Sequence, residues 1–254
     1  MRERIEAALT QIETDHQVRI LYACESGSRA WGFASTDSDY DVRFIYVYPR
    51  DWYLSVFQGR DVIELPIDNV LDINGWDLRK SLQLLEQSNP TLLEWIQSPI
   101  VYREAKPEMD AFRQLSQPWF SPLRGFHHYV SMAKRNFREH LGGDRVRLKK
   151  YFYVLRPLLC CRWIEQGRGV PPIEFHTLVK TLISDPALLQ AIDRLLQQKM
   201  NGIESDYGSR IPAISDWIEA ELVRFDTTPI VPPSDKPPAA TLDHYFRSIL
   251  NKLA

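Results

Sequence analysis

Apolar residues recur at helical spacing at the start of the chain. Ile5, Leu9 and Ile12 share one face and predict an amphipathic helix over 2–15. The period then changes. Residues 18–23 form a short apolar run that ends in the turn cluster Ser26-Gly27-Ser28. Residues 42–48 are rich in β-branched and aromatic side chains and stop at Pro49, the pattern of a strand. Two more short strands are predicted over 62–65 and 70–73, across the turn Pro66-Ile67-Asp68-Asn69. Gly75 is expected to break the chain before a helix with Leu78, Leu82 and Leu85 on one face. Ser88-Asn89-Pro90 closes that helix and opens another, with Asn89 as N-cap and Pro90 at the first helical position.

Beyond Pro99 the alternating signal fades and the helical period takes over. Helices are predicted over 126–141, 146–166, 175–183, 187–200 and 214–225. In the second of these, Leu148, Phe152, Leu155 and Leu159 make a core stripe, leaving Lys149, Tyr153 and Arg156 on a neighbouring face. Five prolines in 227–240 predict an extended linker, and 241–253 a last short helix that docks or dangles. The expected organisation is an α/β domain over 1–105, a helical domain over 106–226, and a proline-rich linker with a terminal helix over 227–254.

Composition adds little to this picture until it is divided along the chain. The whole is 44% hydrophobic and 25% charged with a net charge of -2, ordinary for a soluble globular protein. No run approaches the roughly 18 uncharged apolar residues of a membrane span, and the opening residues carry no leader pattern. Cys24, Cys160 and Cys161 form no CxxC, which suits a reducing cytoplasm. Residues 1–105, however, hold 10 Lys/Arg against 17 Asp/Glu, whereas residues 124–168 hold 11 against 3. An acidic half followed by a basic segment suits a metal site facing a polyanion-holding surface.

The chemistry concentrates between Glu25 and Arg43. Asp39 and Asp41 stand two apart at the head of an apolar strand, so both side chains leave one face. Neighbouring carboxylates repel unless a cation neutralises them, and an oxygen-preferring ion such as Mg²⁺ fits that need. Upstream, Gly27-Ser28 offers close backbone approach, exposed N–H groups and a hydroxyl, the parts of a phosphate cradle. An EF-hand loop starting at Asp37 is excluded, because Val42 stands at the turn glycine and Tyr48 at the bidentate acid. No P-loop motif occurs. His127-His128 lacks partners at a zinc spacing. A lone DxD is a common turn; Gly27-Ser28 upstream makes it a combined pattern.

That pattern resembles the Gly-Ser…Asp-x-Asp signature of polymerase-β-type nucleotidyltransferases. The strings 25–33 and 37–45 resemble, more narrowly, the bacterial and phage RNA-repair-pathway polymerase-β family. Likeness continues through 72–80, Asn89-Pro90, Glu94-Trp95, 98–102 and 147–156. The resemblance implies an α+β fold, a nucleotidyltransferase domain with a mixed sheet followed by an all-helical domain. It implies that Asp39 and Asp41 hold two Mg²⁺ ions, with Mn²⁺ as a substitute, for in-line displacement. It also implies a third carboxylate on an adjacent strand, for which Asp72 is preferred and Glu64 is the alternative. Asp77 is better explained as a helix N-terminal residue.

Nucleotide contacts are expected from Gly27, Ser28, Arg43, Lys80, Lys149, Tyr153 and Arg156. Arg43 shares the Asp41 face and either holds a phosphate oxygen or pairs with the carboxylates. Lys80 enters through the family string, while Lys149, Tyr153 and Arg156 lie in the basic segment and could grip a triphosphate or RNA backbone. The expected activity is transfer of NMP from an NTP to a hydroxyl, with an RNA or tRNA end as the leading acceptor. A protein or small-molecule acceptor, or a catalytically silent nucleotide- or RNA-binding module, are the rivals. Against the silent module stands the Asp39/Asp41 pair, which a binder has no use for unless something neutralises it.

Overall fold

The computed structural model describes residues 1–68, 70–201, 207–227 and 235–252. In chain order the first elements are α1 (Arg2–His16), β1 (Arg19–Glu25), α2 (Gly27–Trp31), β2 (Tyr40–Val47), α3 (Arg50–Tyr53), β3 (Val62–Glu64) and β4 (Leu71–Asp77). Then come α4 (Leu78–Glu86), α5 (Pro90–Trp95), β5 (Val101–Glu104), α6 (Lys106–Ser116) and α7 (Pro122–His140). The remainder is β6 (Arg145–Val146), α8 (Lys150–Glu165), α9 (Phe175–Leu182), α10 (Pro186–Met200), β7 (Gly208–Ser209), α11 (Pro212–Thr227) and α12 (Ala240–Lys252). The expected α+β fold is present. Residues 228–234 of the expected proline-rich linker lie outside the described residues, as does Asn69 of the predicted turn.

Packing divides the chain into two units with boundaries other than those the sequence suggests. The first comprises Met1–Ala30, Asp39–Phe120 and Asp235–Ala254; the second comprises Trp31–Ser38 and Ser121–Ser234. Thus α6 stays with the sheet unit rather than opening the helical one, and α12 returns to the sheet unit. There α12 docks: the Tyr245 hydroxyl donates to the Glu108 carbonyl at 2.9 Å and its ring meets Phe112 edge-on.

The first unit is built on a five-stranded mixed sheet of order β3-β4-β2-β1-β5. Only the β2–β4 pair is parallel. Alternation on β2 and β4 sorts the residues between two faces. Val42, Phe44, Tyr46, Leu71 and Ile73 join Ile5, Leu9 and Ile12 of α1 in one core. Asp41, Arg43, Asp72 and Asn74 therefore take the other face. Farther along that face, Trp76 stacks on Trp95 of α5 with ring centroids 3.8 Å apart. Gly75 does not break β4 as expected; it lies inside the strand, where a Cβ would stand 2.2 Å from the Phe44 ring. The helix starts instead after Asp77, whose carboxylate caps it by accepting from the Arg79 N–H at 2.8 Å. β5 is a strand the sequence pattern does not announce. It is four residues long, half-buried throughout, and at a sheet edge, so no alternation marks it.

The second unit is not purely helical, because Arg145–Val146 pairs antiparallel with Gly208–Ser209. Val146 accordingly belongs to that pair, and α8 begins later than predicted. An aromatic cluster holds this unit together: Phe33 stacks on Phe152 at 4.7 Å and meets Phe175 edge-on at 5.5 Å.

Candidate active site

The carboxylates gather where β1 ends and β2 and β4 begin. Parallel pairing sets Asp41 directly beside Asp72, and neighbours in register present their side chains to the same face. Arg43 joins them. Its Nη2 donates to Asp41 Oδ1 at 3.0 Å and to Asp72 Oδ2 at 2.7 Å, while Nη1 donates to the Val42 and Asp72 carbonyls, each at 3.0 Å. The two acceptor oxygens can be no farther apart than the sum of their distances to that one nitrogen. Asp41 and Asp72 remain about one-third exposed, and Arg43 less so. Burial pushes the Asp41 carboxyl above the usual carboxylate range; Arg43 opposes this, and the charges of Asp72 and Asp39 add to it.

Three residues outside the carboxylate set hold it in shape. Glu25, fully buried, closes β1, and its Oε1 accepts from the Asp41 N–H at 2.7 Å while Oε2 accepts from the Tyr102 hydroxyl. Burial raises the Glu25 carboxyl, and its hydrogen bonds from Tyr102 and Asp41 act the other way. Gly27 adopts φ +57°, and a Cβ there would lie 2.1 Å from Asp41 Oδ2. Its bare backbone is thus required by the carboxylate itself. Arg29 lies with its guanidinium 3.7 Å from the centroid of the Tyr40 ring, and its Nε donates to the Asp39 carbonyl at 3.1 Å. Asp39 is exposed and is held through its backbone. Ser28 follows Gly27 in α2, half-buried.

The other expected contacts are distributed differently. Glu64 lies on the edge strand β3, exposed, where it accepts from Asn74 at 3.0 Å and pairs with Arg60. Lys80 is not at the carboxylate end. It follows Asp77 at the far end of β4, about 16 Å of strand from Asp72, and pairs with Asp61 at 3.2 Å. The family string raised it as a nucleotide contact, and the length of β4 separates it from the carboxylates.

In the second unit Lys149 precedes the first turn of α8, and Tyr153 is 37% exposed with its ring edge-on to Trp31. Arg156 corrects the expected basic face. It is 2% exposed, its guanidinium lies 4.8 Å from the Trp31 ring centroid, and Nε donates to the Ile173 carbonyl at 3.3 Å. A side chain so enclosed binds its own fold. The cation beside Tyr153 is Lys150, whose Nζ is 4.7 Å from that ring.

Glu25 and Arg29 are the site residues that pattern reasoning passes over. Glu25 had a signal, a lone charge at the end of an otherwise apolar run. For Arg29 the one signal is its place beside the Gly27-Ser28 turn, where an exposed arginine is common.

Whether this end of the sheet suits a hard cation turns on its donors. Asp41 and Asp72 offer carboxylate oxygens on one face, the ligand type that Mg²⁺ takes. Among the described residues no three His, Cys, Asp or Glu side chains converge on a metal position in this arrangement. Arg43 Nη2 bonds both Asp41 and Asp72 and so supplies a counter-charge to the pair. The donor chemistry fits, with the guanidinium as the present counter-charge.

Comparisons with known proteins bear on what such a site does. A family model described as the RNA repair pathway DNA polymerase beta family matches residues 1–248. YcgL of Bacillus subtilis (strain 168), an uncharacterized protein, is 50% identical over 224 residues, covering 88% of this chain and 86% of that one. A crystal structure of a nucleotidyltransferase-like protein from Exiguobacterium sibiricum 255-15 covers 98% of this chain and 80% of its own, at 10% identity and a TM-score of 0.34. Likeness at that level carries no argument about this protein.

Proposed function

The chain belongs to the RNA repair pathway DNA polymerase beta family, a nucleotidyltransferase family, and from that premise we propose a metal-dependent transfer of NMP from an NTP to an RNA hydroxyl. Asp39 and Asp41 would hold Mg²⁺, or Mn²⁺ in its place, and Asp72 would complete the carboxylate set. The metal ions supply charge neutralisation for attacking and leaving oxygens. The protein's own part is positioning: Gly27 leaves room for the Asp41 carboxylate, Glu25 fixes its backbone, and Arg29 fixes that of Asp39. Ser28 and Arg43 are the phosphate contacts of this reading; Lys149 and Tyr153 are kept as nucleotide- or RNA-binding candidates of the second unit, taken by itself.

One observation carries the proposal. Asp41 and Asp72 stand side by side in parallel strands, on a half-exposed face, sharing a single cation. Arg43 also weakens the objection raised against a silent binding module, since it offsets part of the carboxylate charge. Family membership, rather than bare charge, is what favours the enzyme. RNA as acceptor rests on the family description and on the basic segment of the second unit. Cytoplasmic residence is part of the same reading, supported by three buried free cysteines. No helix among the described residues is long and apolar enough to cross a membrane.

The test incubates the protein with each labelled NTP, Mg²⁺ and a panel of RNA, tRNA, protein and small-molecule acceptors. Label is expected on an RNA, and Asp39→Ala or Asp41→Ala should abolish it. Label on a protein or small molecule would replace the acceptor. Tight NTP binding without transfer to anything would return the protein to the silent module.

A further inference from the structure

Arg43 uses both terminal nitrogens on four acceptors, two of them carboxylate oxygens of different strands. Such an arrangement offsets one of the two negative charges of Asp41 and Asp72 without any metal. It also stands in a metal's way. An ion bound by either carboxylate at about 2.0–2.1 Å would sit close to Nη2, and the like charges would force the guanidinium off at least one carboxylate. Charge-assisted bonds between a guanidinium and carboxylates are among the stronger ones a protein makes, so this release is costly unless a new anion receives the guanidinium. The two bonds from Nη1 to backbone carbonyls can persist throughout, keeping the side chain at the site rather than releasing it to solvent.

We propose that Arg43 is a charge latch that makes metal loading conditional on the nucleotide. A bare divalent ion must push the guanidinium off at least one carboxylate and offers no anion to replace it. A metal accompanied by a triphosphate brings phosphate oxygens that take the guanidinium over, in the planar two-point geometry arginine favours. Metal and nucleotide then bind with positive coupling, and Arg43 is the residue through which the coupling passes. The two roles open to Arg43 from sequence, pairing with the carboxylates and holding a phosphate, become two states of one side chain. This inference rests on the metal-dependent reading of the carboxylates.

The experiment measures Mn²⁺ binding by water-proton relaxation for the wild type, Arg43→Gln and Arg43→Lys. Each is titrated with and without a non-hydrolysable ATP analogue, after subtraction of Mn²⁺ held by free nucleotide. In the wild type, nucleotide should raise Mn²⁺ affinity about tenfold or more, within the usual span of coupling between sites. Arg43→Gln should bind Mn²⁺ alone about tenfold tighter than the wild type, and the gain from nucleotide should shrink to a few-fold. Arg43→Lys keeps the charge but cannot bridge both carboxylates, so it should fall between the two. If Gln at this position does not fold, as judged by far-UV circular dichroism, the Lys variant decides by the same criterion. Unchanged Mn²⁺ affinity and unchanged coupling in the variants would overturn the latch and leave the metal site standing. No Mn²⁺ bound by any of the three proteins, with or without nucleotide, would sink the metal-dependent reading and the latch together.

Discussion

Each unit contains a knot of arginine and carboxylate, and the two knots have different charge. In the second unit, Glu221 is 3% exposed and accepts from Arg162 at 2.6 and 2.8 Å and from Arg224 at 3.0 and 3.1 Å. Arg224 also pairs with Glu165 at 2.6 Å. Two cations meet two anions, and the group joins α8 to α11. In the first unit, a single arginine serves Asp41 and Asp72, with Asp39 close enough for its charge to be felt. That knot is short of positive charge, and its carboxylates are about one-third exposed. A balanced knot centred on a buried carboxylate needs nothing further. An anionic, open one has use for an added cation; Arg103 with Glu6 and Glu13 is likewise short of positive charge, so what marks the Asp41/Asp72 knot is the Gly27 turn closed down on it.

The strongest way to break this distinction is to remove charge from the open knot. Asp72→Asn keeps the shape and should lower NMP transfer by about a thousandfold, the scale of losing a group that acts in the transition state. Glu64→Gln, on the exposed edge strand, should leave transfer within about twofold, as a surface change away from the reacting groups does. The assay is single-turnover label transfer with saturating NTP and Mg²⁺. The opposite ranking would hand the third carboxylate to Glu64 and make Asp72 a structural partner of Arg43.

Gly27→Ala sharpens the comparison from the backbone side. The new methyl would stand 2.1 Å from Asp41 Oδ2, and φ +57° is strained for alanine. The carboxylate must yield, because Glu25 anchors the Asp41 amide from the other side. Transfer should fall about a hundredfold, the effect of a misplaced group of this kind, while the thermal midpoint drops by only a few degrees. A variant with normal transfer would mean that Asp41 need not lie where Gly27 leaves room for it.

How much of this was legible in the sequence divides along similar lines. The strand face shared by Asp41 and Arg43 follows from alternation alone, and Asp77 as a helix cap and Asn89 before Pro90 follow from local chemistry. What alternation cannot give is the partner strand. Only the register of β2 against β4 puts Asp72 beside Asp41, and that register is set by the sheet as a whole. Lys80, raised by the family string, lies a strand's length from Asp72, and that distance too is read only from the sheet. Arg156 shows another limit: helical spacing names a face but not what covers it, and Trp31 covers this one. Trp31, which ends α2, and Phe33 belong to Trp31–Ser38, a segment that packs in the second unit. No window of the sequence shows that a segment flanked by the signature belongs to the other core.

The smallest expected effect tests the balanced knot. Burial alone would raise the Glu221 carboxyl, but hydrogen bonds and charge from Arg162 and Arg224 outweigh it and hold the group below the ordinary glutamate range. A carboxylate lowered on folding contributes stability that is fully present above the unfolded value and lost as pH falls through the folded one. Glu221→Gln should therefore cost about 2 kcal/mol at pH 7, less than a fully enclosed pair because both arginines are partly solvated. The measurement is urea unfolding of the full chain from pH 7 into the acid range. The gap between wild type and variant should stay constant at neutral pH and close as Glu221 protonates. NTP-dependent label transfer should be unchanged at a temperature where both are folded. A gap independent of pH would show that Glu221 acts through packing rather than charge, and the contrast between a satisfied knot and a hungry one would lose its second half.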